Sequence, residues 1–375
     1  MKKFLLYINV IVVLLVSATI PVRATGYESE DDFSDEYIST ILDELDSDTK
    51  EIISSFGLED ISADGLLDLS FSNLLSGIKN VFYISISEQV SSFLKMLGML
   101  TVLILLNSFK NNKQLFSGQI TDVFSMICII MLASSISDSI EGLVTAFDMT
   151  GKLLYTYTPI LAVLLSVSGN VTSSVLYNSS LVALSQVISS VSENIIIPFV
   201  SVYFALIIAL SFNETVNPDK IISSLNKAVI TVLSVMTTLF SMLISGKNIL
   251  AMELDGIFYK SGKYLVSNLI PVIGPTVSSI FSSVIGSISL VKSTVAIVAI
   301  LCAAAVNLPV IAKLTADYIS LRLISLTADS FGEKKISGIF GSFSSGIKTL
   351  AVLVVFELVI VIIATGLVLT VKGGI

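Results

Sequence analysis

The sequence predicts an all-α polytopic membrane protein, a helix bundle whose helices are interrupted at proline and glycine. Three observations carry that prediction. The 375 residues are 54% hydrophobic and only 13% charged, against about 25% charged in a soluble domain. The mean hydropathy is +0.92. Apolar runs long enough to cross a hydrocarbon core recur along the chain, separated by short polar stretches.

The first segment, residues 1–24, reads as a signal peptide. Lys2 and Lys3 form a charged start, Phe4 to Val16 an apolar run, and Val22-Arg23-Ala24 a small-residue site with cleavage after Ala24. Residues 25–75 are acidic. From Glu28 to Asp68 there are fifteen acidic residues and one basic, Lys50, while the chain after Asp68 has seventeen basic and fourteen acidic. The formal charge of −8 therefore belongs to one N-terminal block. The opening GYESEDDFSDE is expected to be disordered. Ile38, Ile41, Leu42 and Leu45, then Ile52, Ile53 and Phe56, follow helical spacing and predict two short amphipathic helices, an exported docking surface or a solvated leader.

Residues 76–375 form the membrane region. Clear spans are expected near 93–109, 120–136, 195–212, 228–245, 294–311 and 349–371. Lys110 and Lys113 after the first suit a cytoplasmic loop and an exported N-terminus. Asp138 to Thr150 is polar and amphipathic and is expected on the outer surface. Residues 153–190 and 265–290 read as broken or re-entrant segments. If 265–290 crosses fully, residues 313–348 lie outside; if it re-enters, they lie inside, which their five basic residues favour.

The stretch Phe258 to Leu290 is broken at Pro271, Gly274 and Pro275. Beyond the break Gly274, Ser278, Ser282 and Gly286 recur every fourth residue, a small face that lets helices approach closely. A weaker copy of its opening, Phe147-x-x-x-Gly151-Lys152, lies 111 residues upstream of Phe258-x-x-x-Gly262-Lys263. Pro198 and Pro309 share the offset, and Pro159 and Pro271 nearly do. The pattern predicts an internal duplication with helix breaks at these prolines, the arrangement transporters use around a substrate path.

Among polar residues Glu357 stands out, near the middle of the last apolar run. A charge there costs about 2.5–3.5 kcal/mol on insertion scales, so it must face protein or water. It reads either as a proton or cation relay or as a protonated carboxyl that holds helix register. Glu193 is a second intramembrane candidate or an interfacial end residue. Cys128 and Cys302 sit in apolar runs without metal-ligand spacing and read as helix-packing residues. The chain has no His, and no phosphate loop, serine elbow, zinc motif or dinucleotide fingerprint. No enzymatic role, cofactor or metal is expected. The lack of clustered Lys and Arg argues against nucleic acid as a partner.

Gly262-Lys263-x-Leu265, Asn268-x-Ile270-Pro271-Val272-x-Gly274 and SISLVKSTVAIVAILCAAAVNLP from Ser287 to Pro309 carry a resemblance, with weaker similarity over Pro159 to Ser174 and the Pro198 span. Over roughly residues 80–372 the chain resembles the stage III sporulation protein AE family of endospore-forming Firmicutes. The resemblance implies a multi-pass subunit of the transenvelope channel or feeding complex between mother cell and forespore. It places the chain in the outer forespore membrane with its leader in the intermembrane space. It implies as partners the other membrane proteins of the same operon and a forespore membrane protein, and a role in late forespore gene expression. It supplies no catalytic residues. The alternative is a free-standing proton- or cation-coupled transporter with Glu357 as its coupling site.

Overall fold

In the computed structural model the described residues are 31–56, 71–108, 117–191, 194, 197–211, 223–231, 235, 238, 242, 255 and 274–371. They form helices α1 (Asp31–Asp43), α2 (Ser47–Ser55), α3 (Phe71–Ser108), α4 (Ser117–Val167), α5 (Val171–Val191), α6 (Ile197–Ser211), α7 (Gly274–Ser330) and α8 (Lys334–Thr370). Among these residues there is no strand. Four helices, α3, α4, α7 and α8, are long and apolar enough to cross a membrane. The chain is an all-α polytopic membrane protein.

Two helical hairpins organise the bundle. α4 turns into α5 at Ser168-Gly169-Asn170, and α7 turns into α8 at Phe331-Gly332-Glu333. Gly169 and Gly332 hold φ of 85° and 82°, the left-handed conformation that ends a helix at little cost only when Cβ is missing. α7 is the centre. It packs against α8 along its length and also against α4, α3, α1 and α2. In the most apolar window of α7, 83% of residues are buried inside the protein, against 17% in α3. The exposed Ile84, Leu94, Val102 and Leu105 of α3 thus suit lipid. Ala296, Ala299 and Ala303 of α7 are fully buried at helical spacing, which brings neighbouring backbones close.

The helices are longer than the sequence reading expected. The 120–136 and 153–167 runs belong to one 51-residue helix, and 274–290 continues into 294–311 within a 57-residue helix of roughly 85 Å. Residues 313–348, expected as an interfacial or loop region, are the distal half of the α7–α8 hairpin. Asp138 to Thr150 is an amphipathic stretch within α4: Ser139, Leu143, Ala146, Phe147 and Thr150 are buried, and Asp138, Glu141, Thr145 and Asp148 are exposed. Its buried polar residues, Ser139 and Thr150, pair with Asp317 and Asn307 of α7.

Pro159 and Pro309, expected as breaks, lie inside continuous helices. Each proline removes one backbone hydrogen bond, to the Tyr155 or the Ala305 carbonyl, which helices packed in a bundle tolerate, and a neighbouring side chain adds a bond within the preceding turn. Thr158 Oγ1 bonds the Leu154 carbonyl, and Asn307 Nδ2 bonds the Ala303 carbonyl at 2.9 Å. Pro198 sits exposed in the first turn of α6, where its missing N–H has no partner to lose. Pro198 and Pro309, matched by offset, thus occupy different local positions. Gly274 and Pro275 open α7. Pro271 lies outside the described residues, as do Ala24, Glu193, most of the expected span 228–245 and residues 246–254.

The acidic leader folds further than expected. Asp31 to Glu36, read as disordered, are the start of α1. Asp46 caps α2 by accepting from Thr49 N at 2.9 Å. Ile38, Ile41, Leu45, Ile53 and Phe56 are buried, and the two helices pack on α7.

Two long-range contacts cap helix ends. The Asp255 carboxylate, itself buried, accepts from Thr172 N and Ser173 N at 2.8 Å each, holding the start of α5. The Lys292 ammonium, also buried, donates to the Val371 carbonyl at the end of α8. Close approach of α6 to α8 occurs at Gly346, where an added Cβ would lie 2.6 Å from Tyr203 and 3.0 Å from Phe204.

Two outcomes follow for the protein unfolded thermally in detergent, followed by near-UV circular dichroism. Gly346→Val destabilises by about 1–3 kcal/mol, whereas Gly366→Ala, where an added Cβ meets nothing, is neutral or stabilising. Asp255→Ala costs about 1–3 kcal/mol, because two N–H groups at the start of α5 lose their acceptor.

Candidate functional site

The candidate site is a series of polar contacts enclosed between α4, α7 and α8. The three helices are in fixed register. α4 runs antiparallel to α7, with Ser139 facing Asp317 and Thr150 facing Asn307. α7 runs antiparallel to α8, with Ser325 facing Ser337 and the Tyr318 carbonyl facing Ser344. α4 and α8 are therefore parallel, and Tyr157 meets Thr365.

Each level of this series is built from residue types that can satisfy one another without water. At the first, Ser139 Oγ donates to Asp317 Oδ2 at 3.1 Å, and both residues are buried. A hydrogen bond to an ionised partner is worth about 1.5–3 kcal/mol. About ten residues along α7, or roughly 15 Å, lies the second level. Asn307 Nδ2 donates to Thr150 Oγ1 at 2.9 Å and also to the Ala303 carbonyl, which uses both of its N–H bonds. Glu357 of α8 joins this level. Its carboxyl is 4% exposed and interacts with the Thr150 hydroxyl without closing a hydrogen bond of ordinary geometry. At the third level, Tyr157 and Thr365 hydroxyls lie 2.5 Å apart, and Tyr177 of α5 donates to the Ala364 carbonyl at 2.9 Å. Cys302, fully buried and free, lies beside Tyr157.

The second level differs from the others. Glu357 Oε1 and Oε2 and Asn307 Oδ1 are all buried without a hydrogen-bond partner. These three acceptor atoms belong to the two residues that meet Thr150. A carboxyl that carries a proton, or a cation held by these oxygens, suits such a set. The remaining levels are satisfied internally and act as helix-to-helix fasteners.

Of the residues singled out in the sequence, the structure places Glu357 at this centre. Pro309, on α7, lies within one turn of Asn307, and Pro159, on α4, within one turn of Tyr157. Gly274, Ser278, Ser282 and Gly286 share one face of α7 by their spacing, and the surroundings of that face lie outside the described residues. The tight packing that is described uses Ala296, Ala299 and Ala303 instead. Thr150, Asn307 and Asp317 escaped the sequence reading. Thr150 and Asp317 are ordinary polar residues in polar-looking stretches and Asn307 stands near the end of an apolar run, and only the antiparallel register of α4 and α7 brings them together.

A profile for the family Stage III sporulation protein AE matches residues 56–371. The chain is 26% identical over 175 residues to the stage III sporulation protein AE of Bacillus subtilis (strain 168); the match covers 47% of this chain and 44% of that relative, under half the length of each. No solved structure matches. The family profile covers both hairpins and the whole polar series between them. The chain therefore belongs to the stage III sporulation protein AE family.

Proposed function

We propose that this protein is a membrane subunit of the transenvelope channel or feeding complex between mother cell and forespore, needed for late forespore gene expression and spore development. The observation that carries the reading is the family match across residues 56–371, which takes in all four long apolar helices. On this reading the protein lies in the outer forespore membrane, with α1 and α2 on the intermembrane side. Its partners are the other stage III membrane proteins of the same operon and a forespore membrane protein. The α7–α8 hairpin supplies the rigid body on which such an assembly is built. No step of the role asks for bond-making chemistry.

One observation favours a second reading, a proton- or cation-coupled transporter. It is the set of partnerless oxygens at Glu357 and Asn307, buried where a coupling group would need to be. The two readings part on a charge-neutral substitution. Glu357→Gln keeps the shape and can hydrogen-bond to Thr150; Glu357→Leu can do neither.

The test uses a sporulating strain whose only copy carries the variant, with protein level followed by immunoblot. On the assembly reading, Glu357→Gln leaves heat-resistant spore counts within about threefold of the parent, and the protein still co-purifies with the other stage III proteins. Glu357→Leu lowers the amount of protein. Normal accumulation and co-purification of Glu357→Gln with a loss of spores of a hundredfold or more would instead favour coupled transport.

A further inference from the structure

A cleft of about 650 Å³ opens at the turn end of the α7–α8 hairpin, between the two helices and residues 223–231. Its walls carry Lys227, Arg322, Lys334 and Lys348, and one carboxylate, Asp329. Among the described residues the ion pairs are Lys152–Asp148 and Lys335–Asp122, so none of the four cations of the cleft is neutralised by a carboxylate within 4 Å. Among the described residues the walls therefore carry an excess of three positive charges, around a volume typical of a small-ligand site.

The walls are built rather than incidental. The segment 223–231 is fastened to α8 by Thr349 Oγ1, which donates to Asn226 Oδ1 at 2.7 Å, and by Asn226 Nδ2, which reaches the Ser345 carbonyl at 3.4 Å. The floor is made by glycine. An added Cβ at Gly338 would meet nothing within 4 Å, and one at Gly341 would lie 3.2 Å from Ser325 Oγ and 3.8 Å from the Arg322 guanidinium. Arg322 thus lies over a helix face that has no side chain to block it. Ser325 and Ser337 add hydroxyls at the same depth. A planar guanidinium, mobile ammonium groups and hydroxyls are the donor set that recognises phosphate.

Position selects the kind of phosphate. Lys348 and Thr349 line one end of the cleft, and the apolar run of α8 begins there. That end lies where the helix passes from a polar to an apolar environment, the depth at which lipid phosphates sit, and basic pockets between helices at that depth hold anionic headgroups. We propose that this cleft binds a phosphate-bearing anion, and that the occupant is the headgroup of an anionic phospholipid.

The test uses the full chain, purified and reconstituted in nanodiscs of phosphatidylcholine with phosphatidylglycerol or cardiolipin. Lipids retained after transfer to detergent are read by native mass spectrometry. The parent retains the anionic lipids over phosphatidylcholine. Lys227→Gln/Arg322→Gln/Lys348→Gln lowers that retention at least about tenfold. Lys79→Gln/Lys95→Gln/Lys152→Gln, the same charge change elsewhere, leaves it unchanged. If the cleft triple variant does not elute as a folded monodisperse species, Arg322→Gln alone serves, with a loss of about threefold expected. Equal loss in the control triple, or no preference for anionic lipid in the parent, would overturn the proposal. Protection of the parent against unfolding by inorganic phosphate at millimolar concentration, without lipid retention, would assign the cleft to a soluble anion and overturn the lipid occupant.

Discussion

The structure depends on the burial of the middle of α7, from Val291 to Asp317. A helix that meets lipid on one face can leave apolar side chains there. A helix enclosed by protein must find a partner for every polar group it carries, because water does not reach it. α7 carries Lys292, Asn307, Thr315 and Asp317, all buried. Their partners are fixed points on other helices or on α7 itself: the Val371 carbonyl for Lys292, Thr150 for Asn307, the Ile311 carbonyl for Thr315 and Ser139 for Asp317. Shifting α7 by one residue against either neighbour would separate donors from acceptors at several levels together. Polar contacts thus set the register, and the alanines of α7 set the distance.

This constraint explains why the polar stretches are not loops. Serine and threonine within a long helix can return their hydroxyls to a carbonyl one turn back, as Thr315 does to Ile311 and Thr158 does to Leu154. Helical structure then continues where hydropathy falls, which lets α4 and α7 extend far past the length a bilayer needs. Their polar ends form separate features there. The α7–α8 turn carries the basic cleft, and the α4–α5 turn is held by Asp255 from far along the chain.

The all-α membrane class, the two leader helices and the burial of Glu357 within the protein were legible in the sequence, because each rests on local signals: hydropathy, helical spacing, and a lone charge in an apolar run. Helix lengths and polar pairing were not. Pro159 and Pro309 look like breaks when hydrogen bonds are counted along one helix, and nothing local marks the packing of α4 and α7 against their neighbours, within which the helices continue. Asp255 sat in a charged stretch that gave no reason to bury it, since its partners lie more than eighty residues away. The small-residue stripe from Gly274 to Gly286 drew attention by its periodicity. Where burial is described along α7, the alanines at 296, 299 and 303 pack closely with a less regular pattern.

The register of α4 against α7 is the claim on which the candidate site rests. Cysteine cross-linking in a Cys128→Ser, Cys302→Ser background measures it most directly. With Ser139→Cys paired to Asp317→Cys, and separately Thr150→Cys paired to Asn307→Cys, mild oxidation in membranes is expected to give an intramolecular disulfide in each case. The mismatched pair Ser139→Cys with Asn307→Cys, about 15 Å out of register, is expected to give none. Cross-linking of the mismatched pair with silence in both matched pairs would contradict the arrangement and dissolve the cluster around Glu357.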